Sequence, residues 1–100
     1  MTTKPDRTFL RHVVFFSSKN SEDVDSIIEG LQVLGTIPSV RTFEVCRNLR
    51  DDRFSNEIEV VVYAEFDDEA GLQAYRAHPT YEACTNAVRP MRELRFAADF

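Results

Sequence analysis

The sequence predicts an α+β protein of the ferredoxin-like split βαβ class, in which helices cover one face of a four-stranded antiparallel sheet. Two observations lead to this class. The predicted elements follow the order strand, helix, strand, strand, helix pair and strand, or βαββααβ. The 100 residues, of which 43% are hydrophobic, suffice for one such domain and leave no room for a second. We therefore predict a single domain over residues 9–100, after a flexible N-terminus over residues 1–8.

The first strand and the first helix have the clearest patterns. Val and Phe are frequent on both alternating faces of FLRHVVFFSS, residues 9–18, which is typical of a buried central strand. Apolar residues recur at the spacing of one helix face in NSEDVDSIIEGLQVLG, residues 20–35. Asn20 or Ser21 can cap this helix, and Gly35 is placed to end it.

A long charged stretch separates the second and third strands. Alternating side chains in SVRTFEVCRN, residues 39–48, predict a strand with one exposed face. No periodicity is found in NLRDDRFSN, residues 48–56, which predicts a loop. Alternation returns in EIEVVVYAEF, residues 57–66, where Ile58 is predicted to point inward with the other even-numbered residues, and Glu59 outward.

Two short helices and a last strand complete the chain. Asp67 or Asp68 can begin the helix in DDEAGLQAYRA, and MRELRFAADF at the end alternates as a strand. The helix in PTYEACTNAVRPM is predicted to bury four residues, Tyr81, Cys84, Ala87 and Val88. Proline suits the first helical position and disfavours helix in the residue before it. We therefore predict His78 as a joint between two helices, with a ring nitrogen bonded to nearby backbone; a catalytic imidazole is the alternative.

The predicted helices cover only one face of the sheet. The first strand is nevertheless apolar on both faces, and Val61 and Tyr63 fall on the uncovered side of the third strand. A second copy of the same sheet, related by a two-fold axis, would cover this surface. The sequence therefore predicts a homodimer.

Composition excludes several classes of partner. The net charge is −5 and the basic residues form no runs, which argues against nucleic acid and anionic membranes. Cys46 and Cys84 lack any CxxC spacing, so we predict reduced thiols and a cytoplasmic location. No phosphate-binding glycine loop or nucleophile triad is present. Three alternating glutamates of the third strand have no histidine at ligand spacing, so no metal and no cofactor are predicted.

Four stretches together resemble the stress-responsive A/B barrel (Dabb) family. They are LRHVVFF, IPSVRTFEVCRNL, VVYAEFDDEAGLQAYRAHPTYEA and VRPMRELRFAADF, and they extend from about Leu10 to Phe100. The resemblance implies a dimeric α+β barrel of ferredoxin-like protomers, in agreement with the uncovered sheet face.

The resemblance also implies a site. A branch similar to plant olivetolic acid cyclase closes a linear polyketide without a cofactor, using a tyrosine and a histidine in a pocket between sheet and helices. The tyrosine of that pattern falls on Tyr75 and a pocket histidine on His12, whereas the catalytic histidine falls on Tyr81 and a further pocket histidine on Val60. His12 is thus either a hydrogen-bonded core residue or a pocket base, and His12 and Tyr75 are the candidate catalytic residues.

The predicted function is the binding of a small apolar or aromatic ligand by a homodimer, without a defined reaction. The predicted ligand-binding residues are His12, Val14, Phe43, Val60, Val62, Tyr75, His78 and Tyr81. The rival is a cofactor-independent cyclase, lyase or monooxygenase that acts on an aromatic or polyketide-like substrate, with His12 as base and Tyr75 as proton donor. A purely structural dimer without a pocket is the third possibility.

Overall fold

The computed structural model describes residues 8–54 and 56–100, so the predicted flexible N-terminus lies outside the described residues apart from Thr8. The chain is an α+β protein with a four-stranded antiparallel sheet and helices on one face, as predicted. The strands are β1 (Leu10–Ser18), β2 (Val40–Arg47), β3 (Val60–Phe66) and β4 (Arg92–Asp99). The helices are α1 (Val24–Gln32), α2 (Glu69–Ala77) and α3 (Pro79–Val88), with short 3-10 turns at Ser21–Asp23 and Val33–Thr36. No helix in the described ranges is long and apolar enough to span a membrane.

The sheet order is β2-β3-β1-β4, so β1 is a central strand paired antiparallel with β3 and β4. Successive side chains of a strand point to opposite faces. On β1, His12, Val14 and Phe16 point toward the helices and are 1%, 3% and 4% exposed, whereas Phe15 on the other face is 37% exposed. The face of β1 that the helices cover therefore begins with a buried histidine.

Gly35 lies in the 3-10 turn after α1 for a different reason from the one predicted. Its φ is not positive, so a left-handed helix end does not explain the glycine. A Cβ atom there would lie 2.8 Å from Cδ2 of Phe43, which is closer than real contacts allow. The glycine is needed because the ring of Phe43 on β2 packs directly on the backbone of this turn.

The start of β3 corrects two predictions. The strand begins at Val60, so the alternation predicted from residue 57 does not extend to Ile58 and Glu59. Ile58 lines a groove on the uncovered sheet face with Val61. Glu59 is buried instead of solvated, because its carboxylate accepts hydrogen bonds from the backbone N–H and the hydroxyl of Ser18, at 2.5 and 2.6 Å.

The two short helices follow the predicted capping chemistry. Asp68 begins α2, and its side chain accepts a hydrogen bond from the N–H of Gly71 at 2.9 Å. Cys84 and Val88 of α3 are buried, and Tyr81 is partly buried. Ala87 was predicted to be buried and is exposed, because it lies on the solvent side of the helix.

Candidate ligand-binding site

A small cavity lies between the helix-facing side of the sheet and helices α1 and α3. Its volume is about 30 Å³, room for one or two waters, and it is partly open to solvent. The wall is mostly apolar, while two aromatic hydroxyls, an imidazole and two guanidinium groups reach it. The lining residues are His12, Val14, Phe16, Leu31, Leu34, Val62, Tyr75, Tyr81, Cys84, Thr85, Val88, Arg92 and Arg95.

His12 is held in one orientation by the end of β4. Its Nδ1 lies 2.5 Å from Oδ1 of Asp99, and Oδ2 of the same carboxylate lies 3.2 Å from Arg76. With a proton on Nδ1 the imidazole donates to Asp99, and Nε2 is left with a free lone pair. Nε2 has no partner among the described residues, so it is available to a molecule in the cavity.

The charge state of His12 follows from competing influences. Burial lowers the pKa of His12, the hydrogen bond and charge of Asp99 raise it, and the positive charges of Arg76 and Arg95 lower it further. The net pKa lies below the ordinary value of 6.5. At neutral pH the imidazole is therefore neutral, which is the form that can accept a proton.

Tyr75 of α2 also lines the cavity, and its ring packs edge-on against the imidazole of His12 with ring centroids 6.0 Å apart. It is 1% exposed and also packs edge-to-face on Phe66 and Tyr81, with centroids 4.9 and 5.1 Å away. Burial and the neighbouring Tyr81 raise the pKa of Tyr75 well above its ordinary value. The phenol thus stays protonated, and in the described part of the chain its hydroxyl forms no hydrogen bond.

His78 performs the predicted joint role. It is both the C-cap of α2 and the N-cap of α3, with extended backbone at φ −69° and ψ 139°. Its Nδ1 accepts a hydrogen bond from the N–H of Thr80 at 3.1 Å, which satisfies one of the free donors at the helix start. His78 does not line the cavity, so it stands apart from the predicted ligand-binding residues that do.

The structure brings five of the eight predicted site residues to the cavity wall and leaves out two besides His78. The five are His12, Val14, Val62, Tyr75 and Tyr81. Phe43 packs on the turn at Gly35 instead, and Val60 is a core residue at 1% exposure. Val60 was predicted from the resemblance, which places a pocket histidine at that position, but the cavity reaches neither Val60 nor Phe43.

Sequence patterns did not point to three charged side chains of β4 that line the cavity or contact His12: Arg92, Arg95 and Asp99. The alternation of this strand was used to assign its apolar face, whereas the charged residues lie on the opposite face. Asp99 pairs with His12 and Arg95 with Phe16 across the β1–β4 ladder. Alternation alone would have placed Arg95 and Asp99 on one face, but only the strand register places that face over His12.

Residues 10–100 match the sequence model of a protein family, the Stress responsive A/B Barrel Domain, or Dabb. The observed fold agrees with this match. The chain belongs to the Dabb family. The resemblance seen in the sequence is therefore confirmed. No curated protein matches this Dabb chain by sequence.

Solved structures share the fold of this Dabb protein at low identity. A Dabb family protein with a ferredoxin-like fold from Mesorhizobium loti is 23% identical with TM-score 0.79, over 94% of this chain and 96% of that one. A dimeric ferredoxin-like protein of unknown function from Thermobifida fusca is 24% identical with TM-score 0.78, over 99% and 95% of the two chains. A hydroxynitrile lyase from Passiflora edulis is 19% identical with TM-score 0.77, over 92% and 91%. These likenesses show a common fold.

Proposed function

We propose that this Dabb protein binds a small apolar or aromatic ligand in the cavity beside His12. The observation that carries the proposal is a pair of polar groups at an otherwise apolar wall: Nε2 of His12 and the hydroxyl of Tyr75. Neither has a protein partner among the described residues, although both residues are 1% exposed. Neither atom is among the fully buried unpaired ones of the described residues, which are Nε of Arg11 and Oγ of Ser39, so both groups are reached from the partly open cavity. A ligand in the cavity can therefore bond to both groups in place of water.

Ligand entry requires the cavity to widen. Its volume of about 30 Å³ is far below the roughly 150 Å³ of a cavity that holds benzene. Three lining side chains, Tyr81, Arg92 and Arg95, are partly or fully exposed and can rotate outward, although Tyr81 then gives up its ring contact with Tyr75. We therefore expect these three residues to change position when a ligand enters.

Native mass spectrometry of the protein purified without denaturation tests this proposal. We expect a small-molecule adduct that His12→Phe abolishes, because the larger ring fills the cavity and removes Nε2. His78→Asn is the matched control, since it changes the other histidine of the chain while keeping a good N-cap. An adduct that persists in His12→Phe contradicts the proposal.

A second candidate function is base catalysis without a cofactor, and the hydrogen bond between His12 and Asp99 favours it. A neutral imidazole held by a carboxylate can accept a proton at Nε2, and the carboxylate then stabilises the imidazolium. Tyr75, which stays protonated, is placed to donate a hydrogen bond to an oxygen that gains negative charge. This pair supports the predicted cyclase, lyase or monooxygenase alternative, and the hydroxynitrile lyase of similar fold makes a hydroxynitrile the natural first substrate.

Cleavage of mandelonitrile tests this second function. In that reaction His12 takes the hydroxyl proton, the C–O bond becomes C=O, and cyanide leaves with the electrons of the C–CN bond. We expect His12→Phe to lower kcat by about 10²–10⁴, the usual contribution of a general base. His78→Asn serves again as the control. A rate that is the same in the His12→Phe variant rules out this role for His12.

We further propose that the protomers pair as a homodimer through the uncovered sheet face. Phe15 and Phe96 are directly paired across β1 and β4 and are 37% and 55% exposed. With Val61 and Ile58 they line a groove of about 330 Å³, which Phe54 of the β2–β3 loop extends. Contiguous apolar surface of this kind is typical of protein interfaces, and the structurally similar Thermobifida fusca protein is described as dimeric.

Light scattering coupled to size exclusion tests the dimer at micromolar concentration. We expect a dimer for the parent and monomers for Val61→Asp and Phe96→Asp, because a charge would be buried at the interface. Val33→Asp is the control, since Val33 is 44% exposed on the helix side. A parent protein that elutes as a stable monomer overturns the proposal.

The cytoplasmic location predicted from the cysteines is part of the proposal. Cys46 is exposed and Cys84 is buried, and both are free thiols. Reduced thiols are the rule in the cytoplasm. Thiol titration in denaturant without reductant, on protein from its native host, should count two per chain; a count of zero contradicts the location.

A further inference from the structure

The mouth of the cavity carries two arginines of β4, Arg92 and Arg95, which lie three positions apart. Residues three apart in a regular strand point to opposite faces. The β1–β4 register shifts between Ser17 and Ser18, so that Ser17 pairs with Leu94 while Ser18 pairs with Arg92. Such a bulge redirects side chains. Both guanidinium groups consequently line the same cavity.

Neither of these two arginines has a carboxylate partner in residues 8–54 and 56–100. Four other arginines each form an ion pair: Arg41 with Asp67, Arg47 with Asp25, Arg50 with Glu59, and Arg76 with Asp99. Within the described residues, neither the side chain of Arg92 nor that of Arg95 forms an ion pair or a hydrogen bond. Partial burial and the neighbouring positive charges of Arg95 and Arg89 lower the pKa of Arg92. In a chain with a net charge of −5, two positive charges without an ion pair in the described part of the chain thus lie together at the cavity.

The inner wall of the same cavity has the opposite character. It is formed largely by aliphatic and aromatic side chains: Val14, Phe16, Leu31, Leu34, Val62 and Val88. An occupant that suits the whole site therefore has an anionic group at one end and an apolar body at the other. Guanidinium groups bind carboxylates through charge-assisted hydrogen bonds with well-defined geometry.

We propose that the ligand is an amphipathic organic carboxylate, whose carboxylate binds Arg92 and Arg95 while its apolar body enters the cavity toward His12 and Tyr75. This inference rests on the ligand-binding function proposed above and specifies the chemical class of the ligand. It also assigns a role to the bulge in β4, which is to bring two cationic side chains to one side of the sheet.

Hexanoate and hexan-1-ol are suitable probes, because they share an alkyl chain and differ in the charged group. Titration followed by NMR shifts of His12 and of the amides that line the cavity reports binding at this site. We expect hexanoate to bind at least about 10-fold more tightly than hexan-1-ol to the parent protein. Arg92→Gln and Arg95→Gln should each weaken hexanoate by about 10-fold and leave hexan-1-ol unchanged.

Two control variants separate specific from general electrostatic effects. Arg53→Gln removes the same charge from the β2–β3 loop, where Arg53 stacks on Phe54, and should leave both affinities unchanged. Arg95→Lys keeps the charge without the planar fork and should retain part of the preference for hexanoate.

The possible outcomes distinguish the two proposals. Equal affinities for hexanoate and hexan-1-ol at the cavity would overturn the carboxylate inference while supporting ligand binding. Tighter binding of hexyl phosphate than of hexanoate would overturn the carboxylate inference and indicate a phosphate ester as the ligand. If no probe shifts the His12 signals, both the inference and the ligand-binding function fail.

Discussion

Asp99, near the end of the edge strand β4, accepts a hydrogen bond from Nδ1 of His12 on the neighbouring strand at 2.5 Å. The two residues are 87 positions apart in the chain. His12 is buried beneath the helices, whereas Asp99 lies on the edge strand. Through this bond the charge of Asp99 influences the pKa of the imidazole in the cavity. Several measurable properties of the protein depend on it.

Replacing Asp99 by Asn should lower the pKa of His12 further. The carboxylate now raises that pKa against the effect of burial, and the amide has no charge with which to do so. Arg76→Gln should have the opposite effect, because the positive charge of Arg76 lowers the pKa of His12. NMR titration of the imidazole signals measures both changes, and the spectrum of His78→Asn identifies the signal of His12. Shifts of the same sign in the two variants contradict this electrostatic account.

The stability of the protein should decrease on acidification below about pH 6.5 because of His12. Its folded-state pKa lies below its ordinary value of 6.5, so the unfolded chain binds the proton more readily. The contribution of neutral His12 is complete above this value and is lost as the pH falls from 6.5 toward the folded pKa. Urea denaturation of the parent and of His12→Gln at several pH values tests this expectation. An identical pH dependence of the two unfolding free energies in this window would show that the histidine is not responsible.

Changes at His78 should affect stability and leave the cavity intact. His78→Ala removes the acceptor for the N–H of Thr80 and should cost about 1 kcal/mol of unfolding free energy. His78→Asn supplies another good N-cap and should restore most of the loss. Tyr75→Phe should behave in the opposite way, retaining stability but weakening any ligand that bonds to the phenol. A His78→Ala protein that melts like the parent and no longer binds ligand is the result that sinks the joint role.

Gly35→Ala should destabilise the protein by about 1–3 kcal/mol, as overpacking of a dense core does. The new Cβ would lie 2.8 Å from Cδ2 of Phe43, so the ring or the turn must shift. Gly71→Ala is the matched control: its Cβ would meet nothing nearer than 3.5 Å, and alanine favours the helix there. Chemical denaturation measures both free energies. Equal effects of the two substitutions would exclude the contact with Phe43 as the reason for Gly35.

Glu59 should contribute to stability through its bonds to Ser18 and Arg50. Burial raises the pKa of Glu59, but the hydrogen bonds from Ser18 and the charge of Arg50 outweigh it, and the net pKa is lowered. The stabilisation is therefore present above the ordinary value of 4.5 and is lost as the pH falls through the folded pKa. Glu59→Gln should cost about 1.5–3 kcal/mol at neutral pH, the range for hydrogen bonds to charged groups. Glu57→Gln, at an exposed neighbour, should change little, and a similar loss in both variants would point to net charge instead.

The sequence by itself determined the order and type of the elements, the face of α1 that is buried and the joint at His78. These features depend on interactions between residues close together in the chain. Apolar periodicity within one element decides which face is buried. The local preferences of a histidine–proline pair end one helix and begin the next.

Only the tertiary structure decided the contents of the site and the exceptions to the alternation. Strand register brings Asp99 to His12, and the bulge in β4 brings Arg92 to the side of Arg95. Glu59 is buried because Ser18, 41 positions away, donates two hydrogen bonds to it. Phe43 belongs to the turn at Gly35 instead of the cavity because of how β2 packs on that turn. Each of these contacts joins separate elements, and since a local pattern contains neither their register nor their packing, the sequence pattern could not reveal them.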